Sequence, residues 1–98
     1  MDPNQLKNNA DQAATLLKQL SNPNRLWILC QLVEGELSVG QIHQRVELSQ
    51  SALSQHLAKL RKDELVSTRR EGNSIYYTLK SREVQHLLET LHKLYCEA

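Results

Sequence analysis

Two short helical segments joined by a tight connection are the feature that most constrains how this chain can fold. Ser38, with Gln41 three residues later, has the pattern of a capping box and begins a helix that ends near Val46. Ser49 begins the next helix, so only residues 47–49 lie between the two. Such a pair predicts a helix-turn-helix, although the usual turn glycine is absent and short helix pairs also occur in other all-α proteins.

Two further helices are predicted before this pair. Apolar residues between positions 5 and 20 step by four, three, four and three, which is one helical stripe made of Leu6, Ala10, Ala13, Leu17 and Leu20. Asn22 followed by Pro23 is typical of an N-cap with proline at the first helical position. The helix that begins there should run to Gly35, with one face formed by Leu26, Cys30 and Val33 beside Trp27.

After the helix pair the apolar pattern changes. Residues 65–70 and 75–79 are rich in β-branched and aromatic side chains and flank a polar four-residue loop, 71–74, that contains a glycine. This pattern predicts a β-hairpin over about residues 65–79. Ser81 then caps a last helix, whose broad apolar face could pack on its own core and on a second subunit: Val84, Leu87, Leu88, Leu91, Leu94 and Tyr95.

The order of these elements predicts a mainly α fold with one β-hairpin, namely a winged helix-turn-helix. We expect residues 1–98 to form a single domain with five helices, in which the hairpin follows the fourth helix. The fourth helix, about residues 49–62, would be the recognition helix, and the hairpin, about residues 65–79, would be the wing. A chain this short buries only about two-thirds of its unfolded surface, so a homodimer would add stability.

Several classes of protein are disfavoured by what the chain lacks. No stretch approaches the 18 or more apolar residues of a membrane span, and the first residues have no signal-peptide pattern, so we expect a cytoplasmic protein. We also expect that it is not an enzyme, because there is no glycine-rich phosphate loop, no cluster of carboxylates and no nucleophile motif. Its two cysteines are expected to be reduced by default and stand far apart in sequence.

Three segments resemble the ArsR/SmtB family of winged-helix repressors: LSNPNRL at 20–26, ELSVG at 36–40 and LSQSALSQHL at 48–57. Within the family the chain is most similar to the thiol-sensing branch that includes HlyU, BigR, SqrR and YgaV. Members of that branch share a cysteine late in the second helix and another near the end of the last, matched here by Cys30 and Cys96. The resemblance implies a homodimer through the first and last helices that binds an inverted-repeat operator on double-stranded DNA and takes part in virulence regulation.

The candidate base-reading residues lie near the start of the fourth helix. With its leucines turned inward, the outward positions carry short or amide side chains, with His56 at the edge: Gln50, Ser51, Ser54 and Gln55. Glutamine can bond the N6/N7 edge of adenine, and serine can reach several base edges in the major groove. A solvated polar helix face is the alternative reading of the same residues.

The candidate backbone contacts are cationic or polar residues on the same helix and on the wing: Lys59, Arg61, Lys62, Arg69, Arg70 and Asn73. Such cations usually contact phosphates, although hairpin charges can also simply protect an edge strand. The net charge of +1 hides the uneven distribution of charge along the chain. Residues 1–48 sum to −1, residues 49–82 to +4 and residues 83–98 to −2. The charge needed for DNA is therefore focused on the recognition helix and wing.

A metal site is not expected, and we predict no cofactor. The resemblance places Ser38 and Gly40 where the metalloid-sensing branch has its Cys-x-Cys pair, and Val84 where the zinc and nickel branch has an aspartate. His86, Glu89 and His92 do recur every three residues on the last helix, but such a pattern is more often a solvated face. A metal-responsive repressor and a winged-helix protein-interaction module without DNA remain the alternative functions.

The two cysteines are the candidate switch. Taken alone, Cys30 on an apolar stripe would be a small hydrophobic residue. The resemblance instead pairs it with Cys96 and implies that oxidation or persulfidation by reactive sulfur or oxygen species changes DNA binding. His92 and Lys93 favour a Cys96 thiolate, whereas the helix C-terminus disfavours it, so the residues leave the attacking cysteine open.

Overall fold

The computed structural model describes residues 3–96, apart from the side chains of Leu6 and Asn8. Leu6, the first residue of the predicted N-terminal stripe, therefore has its side chain outside the described part. The elements in chain order are α1 (Pro3–Asn8), α2 (Ala10–Gln19), α3 (Pro23–Gln31), β1 (Leu37–Ser38), α4 (Val39–Arg45), α5 (Gln50–Lys62), β2 (Val66–Glu71), β3 (Ser74–Leu79) and α6 (Arg82–Tyr95).

The predicted single helix over residues 5–20 is wrong, because the chain forms two helices with a break at Asn9. The side-chain amide of Asn9 donates to the backbone carbonyl of Gln5 at 3.0 Å. The same oxygen also accepts from the backbone N–H of Asn9 at 3.2 Å, so the side chain and the helical ladder share one acceptor. Of the predicted stripe, Leu20 is buried as expected, but Leu17 is 59% exposed, and the core is contacted instead by Leu16.

Helix α3 begins as predicted and ends earlier than predicted. The side chain of Asn22 accepts from the backbone N–H of Arg25 at 3.0 Å, which confirms the N-cap. The buried face carries Ile28 and Leu29 rather than Cys30, because the core contacts α3 roughly a third of a turn away from the predicted stripe. Cys30 is exposed in this chain, so the reading of it as a buried hydrophobic residue is wrong.

The predicted helix pair is confirmed, together with the side-chain hydrogen bonds that cap its two helices. Ser38 and Gln41 form a reciprocal capping box, with the Ser38 N–H donating to Gln41 Oε1 at 2.9 Å and the Gln41 N–H donating to Ser38 Oγ at 3.2 Å. Ser49 Oγ accepts from the backbone of Ala52 at 3.1 Å and caps α5. In place of the usual turn glycine, the connection is held by a bond between His43 Nε2 and the Leu48 carbonyl at 3.0 Å.

The end of α5 fixes how the wing leaves the helix. Backbone bonds from Leu65 to Leu60 and from Glu64 to Arg61, both 3.0 Å, form the pair of a Schellman motif. Glu64 takes the left-handed conformation, φ 60°, that this motif requires and that glycine usually supplies. Leu60 and Leu65 are both buried, so apolar packing holds this turn between α5 and β2.

The wing is a three-stranded antiparallel sheet in the order β1-β3-β2. The hairpin is confirmed, but its predicted four-residue loop is a two-residue turn, since Glu71 pairs with Ser74. Gly72 has φ +60° at the first turn position, as a type II′ turn requires. Strand β1 was not predicted, because its two residues are defined only by pairing with the distant Tyr76 and Tyr77.

The core lies between α3, α4, α5, α6 and the sheet, and the leucines of α5 predicted to point inward, Leu53, Leu57 and Leu60, are buried in it. Ser81 Oγ accepts from Val84 at 3.2 Å, which confirms the cap of α6. The outer end of α6 is uncovered, with Leu94 68% and Tyr95 82% exposed. Among the described helices, none is both long enough and apolar enough to cross a membrane.

Candidate nucleic-acid interface and cysteine cleft

The N-terminal half of α5 presents the predicted base-reading set to solvent. The side chains at the outward positions are exposed, and His56 is half-buried at the edge of the face: Gln50, Ser51, Ser54 and Gln55. This exposure arises because the inward positions of the same turns are filled by buried leucines. The helix therefore offers amide and hydroxyl groups along one accessible edge, which is a surface that can enter a major groove.

A cationic groove continues from this face toward the wing. Lys59, Arg61 and Lys62 are exposed in the last turns of α5. The groove between α5 and β3 has a volume of about 650 Å³, and Arg61 and Lys62 line it together with Ile75. Cations at the C-terminus of a helix also interact favourably with its dipole. The charges predicted to meet phosphates are thus gathered beside the polar face.

The two wing arginines lie on opposite faces of the sheet. Arg70 pairs with Ile75, and along β2 it shares its face with the buried Val66, which is the face that packs toward α5. Arg69 pairs with Tyr76 and belongs to the other face. Arg70 and the turn residue Asn73 are exposed at the end of the hairpin. Of the two arginines, therefore, Arg70 is the one that shares a side with the α5 surface.

Arg69 is hydrogen-bonded to carboxylate side chains of the protein instead. Its Nε and Nη2 donate to the two carboxylate oxygens of Glu36 at 2.8 and 2.6 Å, and its Nη1 donates to Glu71 at 2.7 Å. The guanidinium carbon lies 4.4 Å from the centre of the Tyr76 ring. Hydrogen bonding to Arg69 lowers the pKa of Glu36, and the same bonds raise the pKa of Arg69. Sequence reasoning missed Glu36, because nothing local links residues 33 positions apart.

The two cysteines line the same cleft between α3 and α6. This cleft has a volume of about 780 Å³, and its walls include Trp27 from α3 and Leu91 and Tyr95 from α6. Cys30 and Cys96 are both free thiols and both exposed. The structure thus brings together the pair that the resemblance implied.

The environment of Cys30 disfavours the thiolate form of its side chain. Partial burial raises the pKa of the Cys30 thiol, and the nearby Cys96 raises it further by charge repulsion. A thiol of raised pKa is a poor nucleophile at neutral pH because the thiolate is the reactive form. Cys96 is the C-cap of α6, where its N–H donates to the His92 carbonyl at 2.9 Å. Lys93 also lines the cleft.

The residues considered as metal ligands are not gathered into a site. Within residues 3–96, no three His, Cys, Asp or Glu side chains are placed so that they could hold a metal ion. Glu89, the central residue of the repeated pattern on α6, accepts from the side chain of Gln85 at 2.7 Å. One oxygen of its carboxylate is therefore bonded to the preceding turn of the same helix.

Comparison with known proteins places this geometry among regulators. Residues 22–68 match the family described as bacterial regulatory protein, arsR family. The chain is 53% identical over 98 residues to the transcriptional activator HlyU of Vibrio cholerae, covering 100% of this chain and 91% of the relative.

Solved structures agree with the sequence match. Reduced HlyU from Vibrio cholerae has a TM-score of 0.87 at 54% identity, covering 94% of this chain and 97% of that one. The transcriptional repressor BigR from Xylella fastidiosa has a TM-score of 0.92 at 40% identity and covers 98% of each chain. The predicted winged helix-turn-helix fold is confirmed.

Proposed function

The chain belongs to the arsR family of bacterial regulatory proteins, and from this premise we propose that it is a dimeric, sequence-specific DNA-binding protein switched by its two cysteines. It is a transcriptional regulator of the HlyU type, and the relatives are regulators rather than enzymes. The observation that carries the proposal is the polar edge of α5 beside a cationic groove and the α5-facing Arg70. Amide groups supply base readout, and the cations supply affinity for phosphate.

A homodimer is supported by large apolar side chains left uncovered on α2, α3 and α6. Leu17 on α2, Trp27 on α3, and Leu94 and Tyr95 on α6 are all large and at least 38% exposed. Trp27 and Tyr95 line the same cleft, and exposed apolar groups that lie together commonly mark an interface between subunits. We propose that α2 and α6 of two chains cover one another and present two copies of α5 to successive major grooves.

Selection of binding sites from a pool of random duplexes tests the DNA-binding part of this proposal. We expect the reduced protein to enrich an inverted repeat whose half-sites are centred about one helical turn, or about 10 base pairs, apart. Enrichment of a single unrepeated site would contradict the dimeric arrangement. Failure to enrich any sequence would contradict base reading by α5.

Substitution Arg70→Ala should make binding less dependent on salt. Each phosphate that a side chain neutralises adds about 0.9 to the slope of log affinity against log salt concentration. Loss of one contact in each protomer of a dimer should therefore lower the slope by about 2, with little change in sequence preference. Titrations of one duplex at several salt concentrations measure it, and an unchanged slope would remove Arg70 from the set of phosphate contacts.

The switch is proposed to begin at Cys96 and to be completed by Cys30. With a hydroperoxide, the Cys96 thiolate takes the outer oxygen as the O–O bond breaks, and the released alkoxide or hydroxide accepts a proton. The Cys30 thiol then displaces the oxygen as water and forms the S–S bond. With a polysulfide, the thiolate takes up one sulfur and releases a shorter hydropolysulfide or hydrosulfide, and attack by the second thiol releases another hydrosulfide.

The cleft is connected to the DNA-binding helices through α3. Helix α3 carries Cys30 and packs against both α4 and α5, while α6 carries the turn that ends at Cys96. A bond between the two sulfurs joins α3 to α6 and changes how α3 supports the helix pair. We propose that the reduced protein binds DNA and that the bridged protein releases it.

The order of attack gives a direct test on the free protein. At neutral pH, an alkylating reagent should modify Cys96 before Cys30, because the raised pKa leaves little Cys30 thiolate. The rate at Cys30 should increase as the pH rises toward and above 9.0, the ordinary value of its pKa. Mass spectrometry of briefly treated protein measures both rates, with denatured protein as the control in which the two rates converge. Faster modification of Cys30 at neutral pH would reverse the proposed order.

A further inference from the structure

Arg69 lies across the whole width of the wing on the face turned away from α5. The strand order is β1-β3-β2, and Arg69 stands on β2, the far edge. Its side chain passes over Tyr76 on β3 and reaches Glu36, which directly precedes β1. We call these residues, together with Glu71, the Arg69 clamp.

The geometry of the clamp is stronger than that of an ordinary surface ion pair. Isolated exposed pairs contribute little to stability, but a bidentate guanidinium–carboxylate pair adds two charge-assisted hydrogen bonds and a fixed orientation. Here both oxygens of Glu36 are used, Glu71 takes a third N–H, and the ring of Tyr76 supports the guanidinium from one side. Two carboxylates already surround this cation, so it offers little charge to a phosphate.

The partner of the clamp sits at the start of the helix pair. Glu36 is two residues before Ser38, whose capping box begins α4. The backbone pairing of β1 with β3 already links the hairpin to the N-terminus of α4, and the clamp adds a side-chain link from β2, the strand that does not pair with β1. Both ends of the α4–α5 unit are then connected to the same hairpin, which restricts the angle between the wing and α5.

We propose that Arg69 is a positioning residue, held by Glu36, that sets the orientation of the wing for DNA without itself contacting DNA. The effect on DNA binding rests on the proposed function, whereas the contacts of the clamp can be tested in the free protein without DNA. The role differs from the phosphate contact expected from the sequence alone. The phosphate contact is instead expected from Arg70, on the opposite face of the sheet.

Hydrogen exchange of the wing amides in the free protein tests the clamp directly. Substitution Arg69→Lys keeps the charge but removes the planar fork, and Glu36→Gln removes the carboxylate charge. We expect either change to speed exchange of the β2 and β3 amides about fivefold. The matched control Arg70→Gln should leave exchange unchanged. Equal exchange in wild type, Arg69→Lys and Glu36→Gln would overturn the proposal.

Salt-dependent binding to a random-sequence duplex separates positioning from phosphate contact. Arg69→Gln should weaken binding about fivefold and leave the salt slope unchanged, and Glu36→Gln should weaken binding to a similar extent. The double variant should be no weaker than either single variant, because the two changes remove one interaction. If Arg69 contacts phosphate, its loss lowers the slope by about 1 per protomer and Glu36→Gln tightens binding, which would overturn the proposal. If the wild-type chain binds no duplex, the proposed function is contradicted. The hydrogen-exchange measurement would still show whether Arg69 and Glu36 hold the wing in place.

Discussion

Substitution Gln55→Ala is expected to remove most of the preference of the reduced protein for its operator. A bidentate glutamine contact to a base discriminates against the wrong base by about 1–3 kcal/mol. Because a dimer makes the contact twice, the expected loss is about 2–6 kcal/mol, or roughly 30-fold to more than 10⁴-fold in operator preference. Affinity for random DNA should change little, because the side chain carries no charge. Competition between operator and random duplexes measures the ratio.

The control for this prediction is Gln12→Ala. Gln12 is an exposed glutamine on α2, outside the helix pair and the wing that are proposed to contact DNA, so its loss should leave the operator preference intact. If Gln55→Ala weakened binding equally on every sequence, Gln55 would be a backbone contact and the base-reading role of this position would be wrong. A loss that also appeared in Gln12→Ala would point to the dimer rather than to the base contact.

Oxidation of the cysteine pair is expected to stabilise the folded chain while it lowers DNA affinity. A bond between Cys30 and Cys96 closes a loop of roughly 66 residues, which in the idealised entropy model contributes about 4 kcal/mol. At about 4–8 °C for each kcal/mol in a domain of this size, the thermal midpoint should rise by roughly 15 °C or more. Operator affinity should fall about 5- to 150-fold, the usual range for coupling between two sites. Thermal melts of reduced and treated protein measure the first effect.

The matched control is the double variant Cys30→Ser/Cys96→Ser. This variant should melt at the same temperature before and after treatment, and each single variant should fail to gain the large increase. A thiol reductant should reverse the change in the wild-type chain. A rise in melting temperature that persisted in the double variant would place the modification elsewhere in the protein.

Features set by neighbouring residues could be read from the sequence. The caps at Asn22, Ser38, Ser49 and Ser81 each depend on a side chain and a backbone group three residues apart, and all four were confirmed. The inward leucines of α5 follow from helical spacing alone. The polar edge of α5 could be predicted for the same reason, since it is what remains exposed once that stripe is buried.

Features set by distant residues could not be read in this way. Strand β1 exists only through its pairing with β3, and the buried face of α3 is chosen by the helices that pack on it. The partner of Arg69, Glu36, is remote in sequence, so the two arginines of the wing looked equivalent until the sheet placed them on opposite faces. Likewise, Cys30 and Cys96 line the same cleft between α3 and α6, a placement that their spacing in the sequence does not encode.

A binding titration of one selected operator duplex tests the central claim most directly. Fluorescence anisotropy at fixed salt would compare reduced wild-type protein, the same protein treated with polysulfide or peroxide, and treated protein that has been reduced again. The account predicts tight binding, weak binding and restored binding in that order, with tight binding throughout for Cys30→Ser/Cys96→Ser. Equal affinity of reduced and treated wild type, or an equal loss in the double variant, would contradict control of DNA binding by the cysteine pair.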